Sequence, residues 1–289
     1  MAILVTGAAG LVGRAAVAAL LRQGVEHVRA VVREPAQVGD LRRLGAKVAL
    51  LDATDPDGLA AAMDGVFTAC SLTGNLWSRP GEDPYAAAVE PAQLFLTAAA
   101  SAGVRRVVVC SPAAVASPAA QDNPHLAAKA EVERLVAASG LEHAILRCTH
   151  VLGPGSRLLA LLTDGDPVPV PGTGRQRVAP VWVGDVADAI AAADDAPELP
   201  PTTWSLSGPE ELTFDDLVDM VHGDRVAKRH LGADAAPLVG LTEVRAGVLA
   251  ADSVADPALP APPGLVPTPL AEALAGSAAG WRPRVAGTP

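Results

Sequence analysis

The sequence predicts an α/β chain: a doubly wound parallel sheet with helices on both faces and a small C-terminal substrate lobe. Two observations point there. Over the first 150 residues, short Val/Ile/Leu runs alternate with longer Ala/Leu segments of helical spacing. A glycine stands just past four of those segments, at Gly24, Gly45, Gly103 and Gly140, where a helix stop is expected. The composition agrees: 50% of the 289 residues are hydrophobic but only 3% aromatic, so Ala, Val and Leu must fill a sizeable core.

Taken in order, residues 2–6, 28–32, 47–51, 66–71, 106–110 and 143–147 read as buried parallel strands. Residues 11–23, 35–44, 55–63, 84–102 and 124–139 read as the helices between them. After Arg147 the rhythm breaks. Gly and Pro cluster at 153–155 and 167–174, and 185–193 reads as one more helix on the sheet side. The Ala/Pro-rich stretch 252–267 is expected as an extended wrap, followed by a short helix at 268–275. We therefore expect a nucleotide-fold region over 1–152, packed with helix 185–195, and a smaller lobe with a Pro-rich tail over 153–289.

Charge and cysteine content exclude several function classes. The formal net charge is −10 with no basic block, which excludes a nucleic-acid surface. No apolar run reaches membrane-spanning length, and the first residues lack the pattern of a secretory leader, so a cytoplasmic location is expected and no membrane partner. Cys70, Cys110 and Cys148 form an odd set without a CxxC pair, which argues against a zinc site or a disulfide framework. They read as small buried residues near strand ends, with no neighbouring base evident. A monomer or homodimer acting on a small molecule is the expectation.

The stretch Thr6-Gly7-Ala8-Ala9-Gly10-Leu11-Val12-Gly13 leaves the first strand and opens the first helix. Gly7 permits the turn, Gly10 lets the backbone approach a pyrophosphate, and Gly13 lets the helix pack close to the sheet. The helix start then offers N–H groups and partial positive charge to phosphates. This is the Rossmann dinucleotide pattern, with Thr6, Gly7, Ala9, Gly10, Leu11 and Val12 at the cofactor. An NAD site places a carboxylate at the end of the second strand; here Arg33 stands there, suited to a 2′-phosphate, with Glu34 next to it as the competing residue. NADP(H) is thus favoured over NAD(H). Arg14 is a candidate second cation for that phosphate. Asp52 and Ala53, beyond the third strand, fall at the adenine, unless Asp52 merely starts a helix. Leu72, Thr73 and Gly74, after the fourth strand, fall at the nicotinamide ribose.

With these residues in place, the chain resembles the atypical short-chain dehydrogenase/reductases of the NmrA-like, NAD(P)H-binding type. Residues 6–13 match the family's TGxxGxxG loop, and 146–155 (LRCTHVLGPG), 180–187 (PVWVGDVA) and 206–217 (LSGPEELTFDDL) are similar to its later stretches. The resemblance implies a Ser/Tyr/Lys catalytic set with the last two as YxxxK. The matching stretch is His125-Leu126-Ala127-Ala128-Lys129: the lysine is kept and His125 replaces the tyrosine. Pro112 falls where the serine belongs, with Ser111 beside it, and Tyr85 lies on a different helix. This departs from ordinary ketone chemistry, and the family includes both quinone reductases and NADPH sensors.

Spacing alone puts His125 and Lys129 on one helix face, with Asn123 as cap and Pro124 in the first turn. The alternative is a surface helix in which His125 caps and Lys129 pairs with Glu133. His150 is a weaker candidate for substrate contact, and Trp182 and Trp204 read as core before substrate shelf. The expected activity is hydride transfer from NADPH to a small, largely apolar carbonyl, enone or quinone, with Lys129, His125 and Ser111 as the catalytic candidates. The competing functions are an NADP(H) sensor without turnover and a non-redox cyclisation or dehydration on the same fold.

Overall fold

A computed structural model describes residues 1–74, 76 and 83–276; Trp77 and Trp281 lie outside the described residues. The N-terminal half alternates as expected: β1 (Ala2–Thr6), α1 (Leu11–Arg22), β2 (His27–Val32), α2 (Val38–Leu44), β3 (Lys47–Leu50), α3 (Pro56–Met63), β4 (Val66–Ser71), α4 (Pro84–Ser101), β5 (Arg106–Pro112), α5 (Pro124–Ala138) and β6 (Glu142–Cys148). The C-terminal half adds β7 (Val151–Leu152), α6 (Arg157–Thr163), β8 (Val168–Pro171), β9 (Arg177–Val178), β10 (Val181–Trp182), α7 (Val183–Asp195), β11 (Thr202–Leu206), β12 (Leu212–Thr213), α8 (Phe214–His222), β13 (Lys228–Leu231), α9 (Glu243–Ala250) and α10 (Leu270–Gly276). Gly24, Gly45, Gly103 and Gly140 all take positive φ, as helix-ending glycines do.

Seven strands form one parallel sheet in the order β11-β6-β5-β4-β1-β2-β3. The order reverses between β1 and β4, so a crevice opens there at the carboxyl edge. Each face buries its own apolar layer. Ile3, Val5, Val17, Leu20, Leu146 and Ile190 pack beneath α1 and α7, and Leu4, Leu59, Val89, Phe95, Val107 and Ile145 beneath α3, α4 and α5. Continuous Val/Ile/Leu runs form the inner strands because both faces are covered, whereas β3, expected as a buried strand, lies at the sheet edge with Lys47 and Leu50 exposed. The fully buried Arg106 joins the layers. Its guanidinium donates to Ala193 O (2.7 Å) and Asp194 O (2.8 Å) at the end of α7 and pairs with Glu142 (3.0 Å).

The lobe has a separate apolar centre, which includes Leu152, Leu159, Leu162, Phe214, Leu217 and Leu249. Trp182 packs against this centre and Trp204 sits in the sheet core, as expected. The segment 35–44 departs from a single helix: residues Pro35–Gln37 form a 3₁₀ turn before α2. β11 is a strand the sequence did not suggest, and it lies on the sheet's outer edge. Its N–H at Ser205 donates to Pro260 O (2.9 Å), and the Ser205 hydroxyl accepts from Asp256 N–H (2.9 Å). The Pro-rich stretch thus runs along β11. Thr268 then donates its N–H (2.9 Å) and hydroxyl (2.6 Å) to the buried Asp185 of α7. Among the described residues, no helix is long and apolar enough to cross a membrane.

Candidate active site

The glycine loop shows why each glycine is there. Gly7 sits at φ +67°, and a Cβ on it would lie 2.6 Å from Leu72 O. A Cβ on Gly13 would run into the Gly7 carbonyl and lie 2.7 Å from Ala8 Cα. Gly13 therefore seats α1 on the loop itself rather than on the sheet. A Cβ on Gly10 would meet only Gly7 O, at 3.2 Å, so the rest of its surroundings are open. Gly10 starts α1 without a side-chain cap, and the first turn carries no acidic residue. By contrast, Asp55, Asp83, Asn123, Ser156, Thr213 and Thr242 each accept backbone N–H bonds at their helix starts. The α1 N–H groups fit an outside anion, and the residues of the loop fit a dinucleotide phosphate. Thr6 is 1% exposed, and its hydroxyl donates to Cys70 O (3.2 Å), so that hydroxyl braces β1 against β4.

At the far end of the same edge, Arg33 and Asp52 are exposed, with Ala53 beside them. The Arg33 guanidinium lies 3.9 Å from Glu34. Asp52 Oδ1 accepts the Thr54 N–H (3.0 Å) and hydroxyl (2.8 Å), and those bonds, helped by the Arg33 charge, hold its carboxyl below the usual carboxylate range. Asp52 does not start the helix: Asp55 does, accepting from Gly58 N–H at 3.1 Å. Arg14 pairs with Asp40 at 3.3 Å. Arg33, Asp52 and Ala53 stand outside the cavity described next.

A cavity of about 480 Å³ runs from Ala9–Gly13 past Leu72, Thr73 and Gly74 to Ser111, His125 and Lys129, and on to the lobe. Asn123 Oδ1 accepts the N–H groups of His125 (3.1 Å) and Leu126 (3.2 Å), which fixes the start of α5. Its Nδ2 donates to Val244 O (2.9 Å) at α9. His125 is buried rather than a surface cap. Burial, and then the Lys129 charge, lower its imidazole to a pKa of about 4. Lys129 is 7% exposed, and its Nζ donates to Thr73 O at 3.1 Å. Burial lowers its pKa to about 8, against the opposing pull of Cys110 and Glu133. Lys129 does not pair with Glu133, which instead makes a forked ion pair with Arg147 (2.7 Å).

Ser111 is 5% exposed and its Oγ has no partner among the described residues. His150 also borders the cavity. Burial lowers its pKa to about 4, its Nε2 is unpartnered, and its ring meets Phe214 edge-on at 6.2 Å. All three cysteines are free. Cys70 and Cys148 are buried, and Cys148 borders the cavity, but Cys110 is only partly buried, also borders the cavity, and has the Lys129 amine as a basic neighbour. Tyr85 is 49% exposed and lies away from this cavity. The sequence reading missed the lobe wall, Leu76, Thr149, Val151, Arg157, Leu158, Val248 and Leu249. The 146–155 stretch pointed toward part of it; α9 carried only ordinary helical spacing.

Comparison with known proteins gives the family and the fold. A family model described as NAD(P)H-binding matches residues 7–193. A 3-diazoavenalumate denitrifying reductase of a Streptomyces species is 30% identical over 225 residues, covering 67% of this chain and 72% of that protein. The mitochondrial NADH dehydrogenase [ubiquinone] 1 alpha subcomplex subunit 9 of Arabidopsis thaliana is 29% identical over 233 residues, 75% of this chain but only 56% of that protein. Among solved structures, the Escherichia coli NADPH-dependent quinone oxidoreductase QOR2 complexed with NADPH superposes with a TM-score of 0.72 at 24% identity, covering 95% of this chain and 99% of that one. At that identity the likeness is one of fold.

Proposed function

The chain belongs to the NAD(P)H-binding family, and from that premise we propose that it is an NADPH-dependent reductase of small, largely apolar carbonyl, enone or quinone compounds. The observation that carries this reading is the single cavity joining the uncapped start of α1 to the buried Lys129–His125 face of α5. The relative from Streptomyces is itself named a reductase, which supports the redox assignment. When bound, NADPH supplies the hydride.

The chain's own residues do the rest. Gly7, Ala9 and Gly10 shape the loop, and the N–H groups of Leu11 and Val12 hold the diphosphate. Arg33 holds the 2′-phosphate, and Asp52 and Ala53 border the adenine. Leu72, Thr73 and Gly74 present backbone to the nicotinamide ribose. Lys129, fixed by its bond to Thr73 O, donates to the ribose hydroxyls. His125 is neutral at pH 7 because its pKa is about 4, so it donates a hydrogen bond to a substrate oxygen and relays a proton from water. The orphaned Ser111 hydroxyl supplies a second bond to that oxygen. With no tyrosine in the motif, substrates that delocalise the arriving charge are favoured.

Titration with NADPH and NADH, followed by NADPH absorbance over a panel of quinones, enones and aldehydes, tests the reading. The expected results are tighter NADPH binding, a preference largely lost in Arg33→Ala, and turnover of at least one compound. Tight NADPH binding without any turnover would establish a sensor instead. His125→Phe is expected to slow turnover on the order of a hundredfold; an unchanged rate assigns the proton to water.

A further inference from the structure

Lys129 shares its face of α5 with a carboxylate. Glu133 follows one turn later, four residues on, so the two side chains project from the same side of the helix. Glu133 is buried, and water does little for its charge. Arg147 of β6 grips it instead: Nε donates to Oε1 (3.2 Å) and Oε2 (3.1 Å), and Nη2 donates to Oε2 (2.7 Å). Arg147 also lies 3.7 Å, through Nη1, from Asp256 of the Pro-rich stretch, whose N–H is held by Ser205.

The Lys129 amine is directed elsewhere. Its Nζ donates to Thr73 O at 3.1 Å, and a Cβ on Gly74 would lie 3.3 Å from it, so the amine rests against backbone that borders the cavity. Burial lowers its pKa, and the charges of Cys110 and Glu133 oppose that fall, so Glu133 is already within electrostatic reach of the amine. A buried carboxylate stripped of its cation is costly and is driven to any partner in reach. Arg147 and Lys129 thus compete for one carboxylate. The planar fork of arginine matches both oxygens, whereas a lysine is a point charge, and the arginine holds the carboxylate.

We propose that Arg147 is a positioning residue for Lys129: its fork on Glu133 keeps that buried carboxylate from drawing the amine off Thr73 O and away from the nicotinamide ribose. This rests on the reading of Lys129 as the ribose-holding residue of the reductase, and adds what keeps it in place.

Two readouts separate the proposal from that reading. The first is acetylation of Lys129 by acetic anhydride in protein without cofactor, measured by peptide mass spectrometry against the exposed Lys47. The second is NADPH affinity by calorimetry. In Arg147→Gln, Lys129 labelling should fall severalfold, and NADPH affinity should fall about tenfold, as for the loss of one charge-assisted bond and as in Lys129→Ala. Glu133→Gln should change either readout little, because Arg147 keeps Asp256 and an amide oxygen. The double variant Arg147→Gln/Glu133→Gln removes the competing charge and should restore both readouts. Arg147→Lys keeps the cation without the fork and should fall between; it carries the test if circular dichroism shows that Arg147→Gln does not fold. Unchanged Lys129 labelling in the Arg147 variants overturns the proposal. A double variant that recovers neither readout overturns it as well, because the ion pair would then only brace α5 against β6. Labelling that falls and recovers as expected, with NADPH affinity constant even in Lys129→Ala, leaves Arg147 as the residue that positions the amine and removes Lys129 from the ribose. Loss of NADPH affinity in Lys129→Ala with normal labelling and affinity in Arg147→Gln leaves the reductase reading and removes the positioning role.

Discussion

Two helices, α1 and α5, face the same cavity and begin in opposite ways. α1 starts at Gly10 with no side chain closing its first turn, and α5 starts at Asn123, whose amide oxygen accepts two of its N–H groups. α1 can therefore offer its backbone to a ligand, whereas α5 has already satisfied part of its own and offers side chains, His125 and Lys129. The difference teaches where charge comes from in each half of the site. One half uses the fixed partial charge of peptide groups, which does not titrate. The other uses an imidazole and an amine whose pKa values, about 4 and about 8, burial has moved toward neutral forms.

The sharpest way to break this contrast is Gly10→Val. Only Gly7 O lies near the new Cβ, so the fold should survive while the branched side chain fills the phosphate's place. We expect NADPH affinity to fall more than about a hundredfold, the loss of several charge-assisted bonds, with a near-normal circular dichroism spectrum. Gly13→Ala is the control: its Cβ runs into loop backbone, and it should destabilise the protein itself.

Acid comes next, since it acts on α5 and not on the peptide groups of α1. His125 and His150 both have folded pKa values of about 4 against an ordinary 6.5. Between those values the unfolded chain takes up protons that the folded chain refuses. Stability is then complete above pH 6.5 and is lost as pH falls toward 4, by up to about 3 kcal/mol per histidine. Urea unfolding across pH 4–7 checks this, and replacing His125 with Phe should flatten part of the slope. A smaller effect is expected from Lys129→Ala. Losing its bonds to the ribose, at about 1.5–3 kcal/mol each for a charged donor, should slow turnover tenfold or more in single-turnover measurements. The smallest concerns the cap itself: Asn123→Ala should cost about 1 kcal/mol of stability in the same urea assay.

Strands β1 to β6 and the helices between them were legible as Val/Ile/Leu-rich runs alternating with segments of helical spacing, although β3 lies at the sheet's other edge and is half-exposed rather than buried. β11 was not: its Thr-Thr-Trp-Ser-Leu stretch mixes polar and apolar residues and follows two prolines. Its strand character comes from pairing with β6, a contact far away in sequence. The site shows the same division. The open approach at Gly10 and the shared helix face of His125 and Lys129 could be read from local spacing, and so could the need for a glycine at Gly13, but not that its close neighbour is the loop rather than the sheet. Glu133 as the partner of Arg147 rather than of Lys129 could not, since a strand and a helix 14 residues apart had to meet first. The α9 wall, Val248 and Leu249, was hidden for the same reason.

The Pro-rich stretch along β11 has one more consequence. A parallel sheet ends in strands whose free peptide groups invite a second chain to add on and grow into a fibre. On this edge the Ser205 N–H is taken by a prolyl carbonyl, and proline has no N–H with which to pass the pattern outward. Chain growth from the β11 side is thereby terminated by the protein's own covalent continuation, and cutting the chain before Asp256 should turn this edge from a finished border into a template for self-association.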